Sequence, residues 1–242
     1  IVSNRDVASP FLTSIQENAV KPIEPVFLDF KKDMSQLTAK SDIPVLYKQN
    51  TTNDLFQLIY VFDMGNNNDK ALGTAFDYLE YLGTSDMTPE ELKSEFYRLA
   101  CTFYVSPGNE RTYVVLSGLN ENMPAAMQLF EKLLADAQVN KEAYDNLVGD
   151  ILKARADAKL NQGQNFSRLM NYAMYGPKSP ATNLLTEAEL ASMNPQELVD
   201  RIHNQNNYKH RILYYGPSSS KDLLATIDQY HQVPATLKDI PA

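Results

Sequence analysis

The chain contains one cysteine in 242 residues, Cys101. An intrachain disulfide is therefore excluded, and a single thiol leaves the redox compartment open. Its setting, "RLACTFYV", is apolar and predicts a small buried hydrophobe. Histidine is nearly as scarce: His203, His210 and His231 are the full set, too few and too dispersed to support a soft zinc site of clustered Cys and His. "NQNN" separates His203 from His210, so these two do not share a helix. Each histidine reads as a surface or internally satisfied residue. No apolar run approaches the roughly 18 residues of a membrane helix. Basic residues are outnumbered by acidic ones, 22 to 30, for a net charge of −8. That balance argues against nucleic acid or an anionic membrane as the main partner.

Several motifs are also missing. There is no G-x-G-x-x-G and no Walker A loop for phosphates, and no G-x-S-x-G elbow for a serine nucleophile. "GPSSSKD" (216–222) offers backbone N–H groups at a helix start, but it reads first as a cap by Ser218 or Ser219. "DMGNNND" (63–69) has oxygen donors without EF-hand spacing or its glutamate, so a turn is expected. No Gly-rich or Pro/Ser-rich linker follows residue 20. Residues 1–20 are read as a connector or docking arm and 21–242 as one domain. The opening "IVSN" has neither an initiator Met nor a signal-peptide pattern, which leads us to expect a processed or excised chain with a longer parent.

What is present is an ordinary globular composition, 43% apolar and 21% charged, in a chain long enough to bury a sizeable core. Strands are expected at "IEPVFLDF" (23–30), "IPVLYKQN" (43–50) and "DLFQLIYVFDMG" (54–65), with a further one within "DMSQLTAK" (33–40). In the third, Phe56, Leu58, Tyr60 and Phe62 share one face. Leu55, Ile59, Val61 and Asp63 share the other, as in a central strand covered on both sides. "TFYVSPG" and "RTYVVLSG" read as a hairpin, and "YKHRILYYG" (208–216) as a last strand. Helices are expected over about 69–82, after Thr88 with a Thr88/Glu91 capping box, after Asn120, from Asn140 to about Leu160, in "NFSRLMNYAMYG", after Thr186 and Asn194, and in "KDLLATIDQY". This order predicts an α+β fold with a mostly antiparallel sheet and helices on one face.

The helix over 69–82 carries the one constellation suited to chemistry. Leu72, Ala75, Phe76, Leu79 and Leu82 form its apolar stripe, and Gly83 fits a C′ stop. Asp77, Glu80 and Tyr81 share the opposite face at i, i+3 and i+4. Asp77 and Tyr81 stand where a zinc helix would carry two ligands. Tyr81 is a poor ligand when neutral, because its hydroxyl titrates near 10. A solvated polar face is the plainer reading. Asp77 and Glu80 acting as a carboxylate pair for unrelated chemistry is a further one.

The order of segments adds a resemblance. "FDMG" leads into "AFDYLEYLGT", then "ELKSEFYRLACTFYVS", "RTYVVLSGLNENM" and the long "KEAYDNLVGDILKARADAK". From about residue 43 to the end, this resembles the insulinase/pitrilysin family of zinc peptidases, the inverzincins. That family carries H-x-x-E-H in a phrase similar to "HFLEHLLFKGT"; here the phrase is "DYLEYLGT". By this resemblance Asp77 and Tyr81 replace the two histidines, and Glu80 keeps the place of the general base. The third ligand, a glutamate in the family, falls at Lys153 or Ala154, with Asp150 and Asp157 to either side. The resemblance therefore implies a degenerate, non-catalytic copy of the metallopeptidase domain, from the C-terminal half of a bacterial member. It would hold no metal and no cofactor, and zinc would sit in the catalytic domain of the parent, a zinc metalloendopeptidase. The implied partners are that catalytic half or a partner subunit, and a peptide substrate. The implied location is periplasmic or otherwise exported. The alternative is a scaffold or protein-interaction domain with no peptidase partner.

Overall fold

The computed structural model describes residues 8–20, 22–25, 27–179 and 182–241. The chain divides into two compact units, one up to Asp33 and one from Met34 onward. In the first unit, Ser9 caps α1 (Pro10–Gln16) by accepting from the Leu12 N–H, with Pro10 in the first turn. This position suits proline, whose missing N–H would have no partner there. The strand expected at 23–30 is not formed: its described residues, 23–25 and 27–29, are irregular, Val26 lies outside the described residues, and Phe30 opens α2 (Phe30–Asp33). Pro22 and Pro25 withhold ladder donors. Asp29 accepts from the Lys31 N–H at 3.0 Å, which starts a helical turn instead. Residues 1–7 of the expected arm also lie outside the described residues.

The second unit holds a six-stranded sheet. Its first strands are β1 (Ser35–Ala39), β2 (Ile43–Gln49) and β3 (Leu55–Phe62). Two helices follow, α3 (Leu72–Leu79) and α4 (Pro89–Arg98), and then the hairpin of β4 (Cys101–Pro107) and β5 (Thr112–Leu119). Five further helices come next: α5 (Met123–Asp136), α6 (Lys141–Leu160), α7 (Gln162–Tyr175), α8 (Glu187–Ser192) and α9 (Pro195–Asn204). β6 (Arg211–Gly216) and α10 (Ser220–Tyr230) close the unit. The strand order is β1-β2-β6-β3-β5-β4. Only the β2–β6 pair is parallel; the other pairs are antiparallel. This is the expected α+β fold with a mostly antiparallel sheet. Insertion of β6 between β2 and β3 brings the last sixth of the chain to the centre of the sheet.

One face of the sheet is the core. Val45, Tyr47, Phe56, Leu58, Tyr60, Phe62, Ile212 and Tyr214 join the buried sides of α3, α5, α9 and α10 in one apolar cluster. The other face of β3 departs from the sequence expectation: Leu55 and Gln57 are exposed and Ile59 is half-buried. Val61 on that face is buried, so the second face is covered in part, and the alternation over 55–60 was the operative signal.

Local chemistry sets the helix starts. Thr88 and Glu91 form the capping box of α4, and Thr186 and Glu189 form that of α8. Asn140, Asn194 and Ser219 cap α6, α9 and α10. The donors of "GNNND" serve the backbone. Asn66 Oδ1 accepts from Gly73 N–H and Asn68 Oδ1 from Gly65 N–H. The same loop lies on the β4–β5 turn, where Asn66 N–H donates to the Gly108 carbonyl at 2.9 Å. A Cβ on Gly65 would stand 2.4 Å from that carbonyl oxygen, so the position needs glycine.

Candidate functional site

α3 is amphipathic as the sequence predicts. Leu72, Ala75, Phe76 and Leu79 are buried, while Asp77, Glu80 and Tyr81 are exposed. Tyr78 is buried as well. Its hydroxyl donates to the Asn140 carbonyl at 2.6 Å and accepts from the Asn140 N–H at 2.8 Å, which pins α3 to the start of α6. Burial, then the neighbouring Glu80, pushes the Asp77 carboxyl up from its ordinary value.

The helix is shorter than expected. Its last residue is Leu79 and Glu80 is the C-cap. Beyond it the chain tightens: Tyr81 N–H donates to Tyr78 and Leu82 N–H to Leu79, each an i to i−3 bond. Such a turn advances further per residue than an α-helix. Tyr81 therefore does not stand directly over Asp77, as a continuous α-helix would place it. Gly83 is also not the expected C′ stop. Its φ is not positive, and a Cβ there would lie 2.3 Å from the Met87 carbonyl oxygen. Close backbone approach requires this glycine. The Thr84 N–H to Met87 carbonyl bond, at 2.8 Å, closes the turn.

The donor set does not fit zinc. Asp77 offers one carboxylate, Tyr81 a neutral phenol, and Glu80 lies past the helix end. On α6, Asp150, Lys153, Ala154 and Asp157 are all exposed. Among the described residues, no group of three His, Cys, Asp or Glu is arranged to hold a metal ion, and no described helix is long and apolar enough to cross a membrane.

Beside α3 lies a cleft of about 390 Å³. Phe76 and Glu80 line one wall, Lys93 and Phe96 of α4 another, and Thr102 and Tyr104 of β4 the third. β4 ends the strand order, and among the described residues it pairs only with β5. Its second edge therefore keeps a row of backbone donors and acceptors without a ladder partner. Cys101 starts this strand. It is buried, and burial pushes its thiol up, which matches the inert hydrophobe read from its neighbours.

The histidines gave no site in the sequence, and the structure joins two of them. His210 and His231 meet in the core with Glu131 and Tyr60. Glu131 falls on the apolar face of α5, with Met127 and Leu134 one turn away, and has no motif around it. The available signal was the polar residue inside an apolar stripe, since Phe130, Leu133 and Leu134 beside it are all buried. His203 lies apart, with Nε2 3.1 Å from the Ala137 carbonyl. Asp63 is held by Arg211 and Arg111, which draw its carboxyl below the ordinary value.

No protein-family model and no curated protein sequence matches the chain. Solved structures do. The periplasmic protease PqqL from Escherichia coli matches with a TM-score of 0.73 at 14% identity, over 97% of this chain and 29% of that one. The peptidase M16 inactive domain from Pseudomonas fluorescens matches with a TM-score of 0.73 at 16% identity, over 87% of this chain and 54% of that one. The ferredoxin protease FusC, solved with Arabidopsis ferredoxin, matches with a TM-score of 0.70 at 13% identity, over 93% and 27%. The chain thus spans between 27% and 54% of these relatives' lengths. At such identities the likeness is one of fold, and the resemblance read from "DYLEYLGT" and its flanks agrees with it: this chain has the fold of an M16 peptidase domain.

Proposed function

We propose that the chain is a non-catalytic domain of an M16-type zinc peptidase, from the C-terminal half of a bacterial protein. It helps to enclose an extended peptide opposite a catalytic half that bears H-x-x-E-H. The observation that carries this reading is the pairing of two features. A helix in the position of the family's zinc helix lacks zinc ligands, and it borders a cleft whose far wall is an unpaired strand edge. An extended peptide adds to such an edge through its backbone, while the cleft receives alternate side chains. Glu80 has no metal-bound water to deprotonate and serves as a cleft wall. Residues 1–20 act as the connector and 21–242 as the domain copy. Zinc belongs to the catalytic half. A periplasmic or exported location is in keeping with the PqqL likeness.

Titration of the 15N-labelled chain with an unfolded basic peptide tests the reading. The amide signals of Thr102–Ser106 and of Asp77–Glu80 are expected to move together. An unchanged β4 would overturn peptide addition at this edge. Metal analysis after incubation with zinc is expected to find less than stoichiometric zinc and no zinc-dependent proteolysis. Stoichiometric zinc that is lost in Asp77→Ala would overturn the degenerate-site reading.

A scaffold role without a peptidase partner is the second reading. The apolar face of α7 favours it, because Phe166, Leu169, Met170 and Met174 share one side of the helix and are all exposed. Such a contiguous patch marks an association surface. Copurification separates the two: a partner chain bearing H-x-x-E-H supports the peptidase reading, and a stable partner without it supports the scaffold.

A further inference from the structure

Glu131 is 1% exposed, and among the described residues no lysine or arginine pairs with it. Its two oxygens instead meet four hydrogen-bond partners. Oε1 accepts from the Tyr60 hydroxyl at 3.1 Å and lies 2.6 Å from His231 Nδ1. Oε2 accepts from Asn206 Nδ2 at 2.9 Å and from the Gln232 N–H at 3.0 Å. An ionised carboxylate has about four acceptor positions, and all four are used here. His231 is fully buried. Its Nε2 lies 2.8 Å from His210 Nε2, and His210 Nδ1 lies 2.7 Å from the Tyr208 carbonyl oxygen.

These contacts fix a proton count. A carbonyl oxygen only accepts, so His210 carries a hydrogen on Nδ1. One hydrogen must lie between the two Nε2 atoms, and one between His231 Nδ1 and Glu131. The chain of contacts needs three hydrogens. A carboxylate and two neutral imidazoles supply two. We propose that Glu131, His231 and His210 form a buried site for one shared proton, and that this proton clasps the end of the chain to the sheet.

Burial, and then His231, pushes His210 down to about 4. His210 is thus the neutral acceptor and His231 donates to it through Nε2, which leaves the third hydrogen shared between His231 Nδ1 and Glu131 Oε1 at 2.6 Å. The groups facing the pair are Tyr60 and Phe62 from β3, Glu131 from α5 and Asn206 from the turn after α9. The charged side chains on flanking stretches are engaged elsewhere. Lys209 pairs with Asp239 at 2.5 Å and Arg211 with Asp63 at 2.6 Å, while Asp228 accepts from the Lys40 N–H at 2.8 Å. His203 turns to the Ala137 carbonyl.

The clasp follows from what the site joins. His231 is the C-cap of α10, Gln232 is bound by Glu131, and the segment beyond runs beside residues 207–209. There Lys238 N–H donates to the Asn207 carbonyl and Lys209 N–H to the Lys238 carbonyl, both at 2.8 Å. Loss of the proton would leave two nitrogen lone pairs facing each other across 2.8 Å and the charge of a buried carboxylate uncompensated. Both costs fall where the segment begins.

The sign of the pH effect is fixed by the count. In the unfolded chain both histidines titrate near about 6.5. Above that pH the unfolded pair is neutral while the folded site keeps its extra proton, so stability falls as pH rises until the site deprotonates. Below it the unfolded pair gains two protons against one, so stability falls again as pH drops toward the His210 value. Each limb changes the folding constant by about tenfold per pH unit.

Ring-nitrogen NMR on the full chain at pH 7 tests the site directly. Hydrogen is expected on His210 Nδ1 and His231 Nε2, with a third shared between His231 Nδ1 and the Glu131 carboxyl; two bare nitrogens beside a fully ionised Glu131, read from its carboxyl 13C shift, would overturn the shared proton. Urea unfolding from pH 5 to 9 is expected to show the alkaline limb in the wild type and not in Glu131→Gln, and parallel profiles would overturn the linkage. If Glu131→Gln does not fold, the wild-type nitrogen count decides. Hydrogen exchange reads the clasp. The amides of Lys209, Gln232 and Lys238 are expected to lose protection when the site deprotonates, while those of β3 and β5 keep theirs. Unchanged protection of the three would overturn the clasp.

Discussion

Asp77, Glu80 and Tyr81 lie within one and a half turns of chain and make no hydrogen bond to one another among the described residues. Glu131 and His231 are 100 residues apart and meet at 2.6 Å in the core. The first group has the spacing of a known motif without its two histidines. The second has no motif and a complete set of partners. Both contain carboxylates, but their settings differ. Exposed carboxylates are solvated whether or not a partner is near, so their spacing alone says little about energy. A buried carboxylate must have its lone pairs and its charge answered, so its partners are part of the fold.

Substitutions turn this contrast into magnitudes. Glu131→Ala is expected to have the largest effect, a loss of about 3–5 kcal/mol, because it leaves His231, Tyr60 and the Gln232 N–H facing a void. Urea unfolding measures it, and a cost near that of a surface mutation would break the comparison. Gly83 comes next. Gly83→Ala is expected to cost about 1–3 kcal/mol through overlap with the Met87 carbonyl. Gly83→Asn sharpens the test, since asparagine is tolerated at a left-handed helix stop. Here it is expected to be at least as costly as alanine, and a mild asparagine variant would restore the helix-stop reading. Glu80→Ala is expected to stay within about 0.5 kcal/mol by thermal unfolding, as exposed positions do.

The smallest effect is expected at Asp77. Its carboxyl titrates higher in the folded chain than in the unfolded one, so the folded form takes up the proton first. The ionised group therefore opposes folding at neutral pH, and the penalty is relieved as pH falls through the raised value. Asp77→Asn is expected to raise the unfolding free energy from urea titration slightly at pH 7, by less than about 0.5 kcal/mol, and to show no gain near pH 3. A loss of stability at pH 7 would mean that Asp77 has a favourable partner.

Much of this structure was legible locally. The capping box at Thr88 and the caps at Asn140 and Asn194 depend on neighbours three residues away or fewer, so the sequence contains the whole interaction. The β4–β5 hairpin is equally local. The errors came where a local signal competed with something distant or unusual. The apolar run at 23–30 has strand composition, but its prolines withhold donors and Asp29 begins a helical turn. β3 is apolar on both sides by composition, yet its second face is covered unevenly, with Leu55 exposed, Ile59 half-buried and Val61 buried. The shortened end of α3 follows from the close contact of Gly83 with Met87, which no periodicity reveals.

The residue order by itself determined the α+β class, the amphipathic helix at α3 and the absence of histidine from it. Each of these depends on residue type and on spacing within a few turns. Only the tertiary structure decided which histidines matter. By placing β6 between β2 and β3, the fold brings His210 and, after α10, His231 beneath α5 and against Glu131. Burial then turns three scattered side chains into one electrostatic unit, because in a low-dielectric core each charge and lone pair must be met by another.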